Sequence, residues 1–357
     1  MKYKSMLITG GAGFVGSNLA VSFKLKYPRL KVTALDNLKR RGSEMNIARL
    51  RDHGIDFLHA DIRCPEDLAL DGKVDLLIEC SAEPSVLSGL KDNPAYIIHT
   101  NLTGTVNCLE LARRHKADVI FLSTSRVYPY GELNKIKAQE SGTRFEWKAG
   151  QRFEGWSREG VDVNFTTSGP KTFYGATKLA SELLLEEYIA NYGIKGVINR
   201  CGVIAGPWQF GKVDQGVFTF WLLNHYFKKE IKYIGFGGKG KQVRDLLHVD
   251  DIFRLIDLQA DRLDDISGEV YNAGGGRPVS LSLFETTKLC EKISGNRIRI
   301  SQETRTRPAD VMIYLTDNRK ATQELGWSPK KSARDILLDT YAWIHKNEKQ
   351  VKQSLCI

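Results

Sequence analysis

Leu7–Asn18 reads LITGGAGFVGSN, and the reading of this stretch decides the fold. A short apolar run, Met6-Leu7-Ile8, stops at Thr9; glycine-rich backbone follows, and an amphipathic segment starts at Phe14. Gly10, Gly13 and Gly16 fall at G-x-x-G-x-x-G, while Gly11, Gly13 and Gly16 also fit G-x-G-x-x-G. Glycine is required here to turn out of a strand, to bring backbone N–H groups to a pyrophosphate, and to pack helix on strand. The helix then points its positive end at the phosphates. Glycine-rich hairpins and helix caps share the spacing, so context decides.

The context is favourable. A second strand, Lys31 to Leu35, ends at Asp36, twenty positions past Gly16. A carboxylate there meets the adenosine ribose hydroxyls of NAD. The basic loop Lys39-Arg40-Arg41 could instead meet a 2′-phosphate, but Asp36 opposes one, which predicts NAD rather than NADP. Further strands follow at Ile55 to His59, ending before Asp61, and at Val74 to Cys80, apolar enough to be buried on both faces. A helix from about Pro94 to Arg114 carries Asn101 among its apolar positions, and a fifth strand, Asp118 to Leu122, delivers Ser123-Thr124-Ser125-Arg126. Strand and helix alternate, which predicts an α/β fold: a Rossmann-type doubly wound parallel sheet.

Residues 131–171 are polar, hold Trp147 and Trp156, and show no period, as an active-site loop or flap would. A helix from Thr172 to Asn191 and a sixth strand, Gly196 to Cys201, restore the rhythm. Beyond about Val203 it weakens into an aromatic helix (Val217 to Phe227), glycine loops, a helix at Leu281 to Ser294, a strand at Arg297 to Ser301 and a last helix near Ala333 to His345. This predicts a smaller mixed α+β substrate-binding lobe. The expected division is 1–202 with 244–273 for the NAD-binding domain, and 203–243 with 274–357 for the lobe.

With 357 residues, 42% hydrophobic and 26% charged, the chain can bury a large core. Its net charge of +10 is scattered rather than blocked, which suits an anionic small ligand better than nucleic acid. No apolar run reaches the ~20 residues of a membrane span. The first strand begins by Met6, so no signal peptide is expected and cytoplasmic residence is. The six cysteines show no metal-ligand spacing, so reduced thiols and no metal are expected.

Tyr174 and Lys178 stand at Tyr-x-x-x-Lys within the helical stretch, and i, i+4 spacing puts both on one face. An ammonium beside a phenol favours the phenolate and lowers its pKa. A tyrosine so tuned can remove or return a hydroxyl proton while a hydride leaves the same carbon, with Thr124 orienting the hydroxyl. Tyr27 to Lys31 has the same spacing, but Pro28 and the strand entry deny it a helix.

TGGAGFVGSN, STSRVY and YGATK together resemble the extended short-chain dehydrogenase/reductase family of nucleotide-sugar epimerases and dehydratases. The resemblance implies catalytic Thr124, Tyr174 and Lys178. It also implies NAD contacts from Gly10, Gly13, Phe14, Val15, Gly16, Asp36, Asn37, Arg40, Asp61, Ile62, Ala82 and Asn101, besides Tyr174 and Lys178. The family's 4,6-dehydratases carry an Asp-Glu pair after the threonine, where Ser125-Arg126 stands here, which argues against water elimination. UDP-galactose 4-epimerases carry an asparagine where this chain has Val203, which weakens that branch without closing it. DNLKRRGSEMNIARL (36–50), GPWQFGKVDQG (206–216) and GKGKQVRDLLHVDD (238–251) are similar to the CDP-paratose/CDP-tyvelose 2-epimerase branch. TRPADVMIYLTDNRKA (306–321) is similar too, although a glutamine usual after the acid is Val311. Inversion of C2 of a CDP-linked 3,6-dideoxyhexose through a 2-keto sugar is thereby implied, in a homodimer or homotetramer. Ser85, Arg126, Gln209, Phe210, Asp214, Gln215 and Asp310 are the expected substrate contacts, with Arg244 and Arg307 suited to a pyrophosphate.

Overall fold

The computed structural model describes residues 1–211 and 215–355. Seven strands form one parallel sheet: β1 (Ser5–Thr9), β2 (Lys31–Asp36), β3 (Asp56–His59), β4 (Leu76–Glu79), β5 (Asp118–Thr124), β6 (Gly196–Cys201) and β7 (Val270–Ala273). Their order is β7-β6-β5-β4-β1-β2-β3, all pairs parallel. The order reverses between β1 and β4, and a doubly wound sheet binds its ligand at that switch. The predicted Rossmann-type sheet is present: β1 to β6 lie within a few residues of their expected limits, and β7 is a strand that sequence reading did not delimit.

Period-2 alternation explains the two covered faces. Met6, Ile8, Val32 and Ile78 point to a core shared with Leu19 and Phe23 of α1 (Phe14–Lys26). Leu7, Leu35, Leu77 and Phe121 point to the opposite core, against Cys108 and Leu109 of α2 (Gly104–His115) and Leu185 of α3 (Phe173–Tyr192). The predicted helix over 94–114 arrives as Ala95–Ile98, one π-type stretch His99–Thr103, and α2. Bulges of this type commonly mark functional sites, and Asn101 lies in this one.

A second sheet centres on Val243–His248, which pairs with Val203–Ala205 and Ile313–Tyr314 in parallel and with Ser280–Ser282 antiparallel. α4 (Val249–Arg262) follows directly and packs its Ile252, Leu255 and Ile256 into the core under α1. The lobe has its own core, in which Phe218, Trp221 and Leu222 meet Ile336, Leu337 and Trp343. Its parallel pair Ile231–Ile234 with Ile300–Glu303 lies slightly beyond the expected strand. The chain also carries a further helix, Glu348–Leu355, past the one expected last.

The 131–171 segment is not the aperiodic loop its composition suggested. It forms a helix (Tyr130–Lys135) and two antiparallel hairpins, Ala138–Ser141 with Arg144–Trp147 and Trp156–Ser157 with Gly160–Val161. Its tryptophans, 147 and 156, stack edge to face at 5.5 Å. Arg144 Nε donates to Glu285 Oε1 at 2.9 Å and Arg277 Nη2 to Glu146 Oε2 at 2.6 Å, which tie it to the lobe. The hairpins are too short for their alternation to stand out in sequence. None of the described helices is long and apolar enough to cross a membrane.

Candidate active site

The turn after β1 is built by contact distances that only glycine satisfies. Gly10 has φ +62°, and a Cβ on Gly16 would stand 2.2 Å from the Gly10 carbonyl oxygen. Helix α1 begins at once, with Gly13 as an extended N-cap whose side-chain position is empty. Phe14 and Val15 form its first turn, leaving unpaired N–H groups beside the cradle. A pyrophosphate fits this cradle, because Gly10, Gly13 and Gly16 put no side chain into it and have only backbone as close neighbours.

Asp36 ends β2 at the cradle's flank and is 9% exposed. Its Oδ2 accepts from Ala12 N (3.1 Å) and its Oδ1 from Leu38 N (2.8 Å). Burial raises its carboxyl, and those N–H bonds oppose the rise. Asp61 is engaged more fully: Arg63 grips it as a fork (Nε–Oδ1 3.0 Å, Nη2–Oδ2 2.6 Å) and Asn37 Nδ2 donates at 3.0 Å. The Arg63 bond holds the Asp61 carboxyl at about 2. Ile62 is buried and touches the Gly104 position. Arg40 Nη2 donates to the Phe210 carbonyl at 2.9 Å, so this cation bridges the basic loop to the lobe.

Asn101 is fully buried and clamps the loop after β4: its Oδ1 accepts from Glu83 N at 2.7 Å and its Nδ2 donates to Glu83 O at 3.1 Å. The clamp holds the segment containing Ala82 and Ser85. Glu83 Oε1 in turn accepts from Ser85 N (3.1 Å) and Gln215 Nε2 (3.2 Å).

Thr124 ends β5. Its Oγ1 accepts from Arg126 N at 3.2 Å, which caps the short turn that follows. Helix α3 approaches this turn so closely that a Cβ on Gly175 would stand 2.1 Å from the Arg126 carbonyl. That approach, with Thr172 capping α3, brings Tyr174 to Thr124. Burial pushes the Tyr174 phenol up to about 12, while a hydrogen bond with Thr124 and the Arg126 charge pull it down and Glu79 pushes it up. The expectation that Lys178 lowers this phenol needs correction. Lys178 Nζ lies 3.3 Å from Glu79 Oε2, both side chains 1% exposed, and 3.9 Å from the Phe121 ring centroid. Burial outweighs the charges around the phenol, and Glu79 pushes it further up. Sequence reading passed over Glu79 within VDLLIEC; the available signal was a carboxylate in an otherwise apolar, doubly covered strand.

Beside Arg126 opens a cavity of about 400 Å³, lined among others by Leu87, Phe220, Trp221, Arg244, Arg307 and Asp310. Arg244 Nη2 donates to Asp310 Oδ1 (2.8 Å) and Val311 O (2.7 Å). Two expected sugar contacts are otherwise engaged. Gln209 Nε2 donates to Ile204 O (2.9 Å) while its Oε1 accepts from Thr219 (2.5 Å), and Phe210 packs edge-on against Trp343. Asp214 lies outside the described residues. Phe220 and Trp221, which do line the cavity, read in sequence only as part of the aromatic helix.

A nucleotide cradle at the switch point and a Thr-Tyr-Lys set at the neighbouring strand end define an NAD-dependent enzyme of the short-chain dehydrogenase/reductase kind. The chain belongs to the NAD dependent epimerase/dehydratase family, whose model matches residues 6–274. It is 32% identical over 347 residues to a CDP-paratose 2-epimerase from Salmonella typhi, covering 95% of this chain and 98% of that one. It is 30% identical over 348 residues to a dTDP-glucose 4,6-dehydratase from Streptomyces griseus, covering 96% and 94%. Among solved structures it resembles a UDP-glucose 4-epimerase from Thermotoga maritima with UDP-glucose (25% identity, TM-score 0.78, 96% and 99% covered). It also resembles a UDP-glucuronic acid 4-epimerase from Bacillus cereus in complex with its sugar nucleotide and NAD (27%, 0.77, 96% and 99%).

Proposed function

We propose that this enzyme inverts C2 of a CDP-linked 3,6-dideoxyhexose, interconverting CDP-paratose and CDP-tyvelose. The observation that carries the reading is the near full-length similarity to a CDP-paratose 2-epimerase. The site chemistry agrees with it: the turn after Thr124 offers Ser125 and Arg126 and no carboxylate for expelling water.

Gly10, Gly13, Phe14, Val15 and Gly16 would hold the pyrophosphate of NAD, Asp36 its ribose, and Asn37, Arg40, Asp61, Ile62, Ala82 and Asn101 the surrounding adenosine and loop positions. Bound NAD supplies a reversible hydride acceptor whose oxidised ring is cationic. Tyr174 takes the proton of the C2 hydroxyl and later returns it, and Thr124 holds that hydroxyl in line. Bound NAD would bring a positive charge to the site, which together with the Arg126 charge would draw the phenol down from about 12. Lys178, held against Glu79, would help hold NAD. Once C2 is planar, the cavity must let the keto sugar present its other face, and about 400 Å³ leaves room for that turn. Arg244 and Arg307 bind the sugar nucleotide's pyrophosphate as planar donors; Arg126 and Asp310, which line the cavity, position the sugar, with Ser85 and Gln215 next in sequence to the lining residues Val86 and Gly216. α3 leaves Leu183 and Tyr192 more than half exposed, which supports pairing of subunits in a homodimer or homotetramer.

The test is incubation with CDP-paratose, CDP-tyvelose, UDP-glucose and UDP-galactose, followed by anomeric NMR signals. Interconversion of the CDP sugars is expected. Turnover of the UDP sugars alone overturns the reading in favour of a 4-epimerase.

A further inference from the structure

The pair at the floor of the site is unusual in being closed on every side. Glu79 is the last residue of β4 and pairs in register with Thr9 of β1 and Phe121 of β5. Lys178 reaches it from α3, one turn beyond Tyr174, across the Phe121 ring. Among the described residues, Glu79 Oε1 has no hydrogen-bond partner; burial raises the carboxyl, and Lys178, the Ser81 N–H and the Thr9 hydroxyl oppose that rise. The other titratable groups facing this spot are Cys80 directly after β4, Cys108 on α2, Cys201 on β6 and Tyr174 itself. Burial raises all three thiols, so they stay neutral. Arg126 faces Tyr174 from the turn after β5. Glu182, the next carboxylate along α3, is taken by Ser123 and by Arg200 (Nη2–Oε2 2.7 Å).

We propose that Glu79 is the counter-ion that keeps the Lys178 ammonium charged and fixed one turn from Tyr174, which makes Glu79 a positioning residue of the catalytic pair. The physical argument is desolvation. An ammonium excluded from water sheds its proton readily unless a carboxylate lies against it. With the three thiols neutral and Glu182 committed to Arg200, Glu79 is the anion placed to do this. The inference rests on Tyr174 and Lys178 being the working pair and not on the identity of the sugar.

The experiment compares the NAD-loaded parent with Glu79→Gln, which keeps shape and removes charge, using any nucleotide sugar the enzyme turns over. At pH 6.5 the variant should turn over within roughly threefold of the parent, since Lys178 still holds its proton there. Between about pH 7 and 9 its kcat should fall roughly tenfold below the parent's as the unpaired lysine titrates. A profile parallel to the parent's, or a drop equal at every pH, overturns the proposal. A second readout needs neither this variant nor a substrate: infrared difference spectra of the parent against Lys178→Met. The lysine-free protein should gain a buried protonated-carboxyl band at neutral pH as Glu79 takes up a proton, and the absence of that band overturns the proposal. Failure to convert any CDP sugar would sink the proposed function while leaving this readout intact.

Discussion

The nucleotide cradle and the sugar cavity are assembled in opposite ways. The cradle is a strand, a turn and a helix in one run, and Gly10 to Gly16 lie within seven positions. The cavity gathers Leu87, Arg126, Phe220, Trp221, Arg244 and Arg307 from far-separated segments. The proposed cofactor site is thus encoded locally and the proposed sugar site non-locally. This is why relatives with different sugar nucleotides share the fold.

The comparison can be broken at several points. Tyr174→Phe removes the acid–base hydroxyl and leaves the glycine turn and the cavity in place; kcat should fall by roughly 10²–10⁴, far more than any loss of NAD affinity in a fluorescence titration. Retained turnover would remove Tyr174 from the mechanism. Gly16→Ala places a Cβ 2.2 Å from a carbonyl oxygen, and such overpacking costs about 1–3 kcal/mol. The loss should appear as weaker NAD binding and lower melting temperature, with the lobe core untouched. On the cavity side, Arg307→Ala should raise KM roughly tenfold, the worth of one charge-assisted bond, and leave kcat within a small factor. An equal loss in kcat would mean the cavity acts on chemistry as well as on binding.

The smallest effect concerns pH. Arg63 holds the Asp61 carboxyl at about 2, below its ordinary 3.8. A group depressed in the fold stabilises above its unfolded pKa, and that contribution disappears as pH falls from about 4 toward 2. Arg63→Ala should therefore flatten the loss of stability over that window, measured by denaturant melts at each pH. An unchanged slope would show that the fork contributes nothing.

Much of the first region was legible. β6 falls on its expected residues, Gly196–Cys201, because six buried positions in a row leave no other solution. Local spacing likewise named Tyr174 and Lys178. Legibility ends where a side chain's partner lies far along the chain. Gln209 and Phe210 sit in a polar, aromatic loop that reads as ligand-facing, yet Thr219 and Trp343 claim them. The 131–171 segment gains its order from Glu285 and Arg277, more than a hundred residues away.

The sequence alone determined the doubly wound sheet, the NAD cradle and the Thr-Tyr-Lys set, since each follows from backbone sterics and helical period over a few neighbouring residues. Tertiary structure alone decided that Lys178 faces Glu79, that Asn101 clamps the Glu83 backbone, and which arginines share the cavity. Those outcomes depend on charge and burial between elements 18 to 183 positions apart. Such pairings form only when the sheet brings its strand ends to one edge.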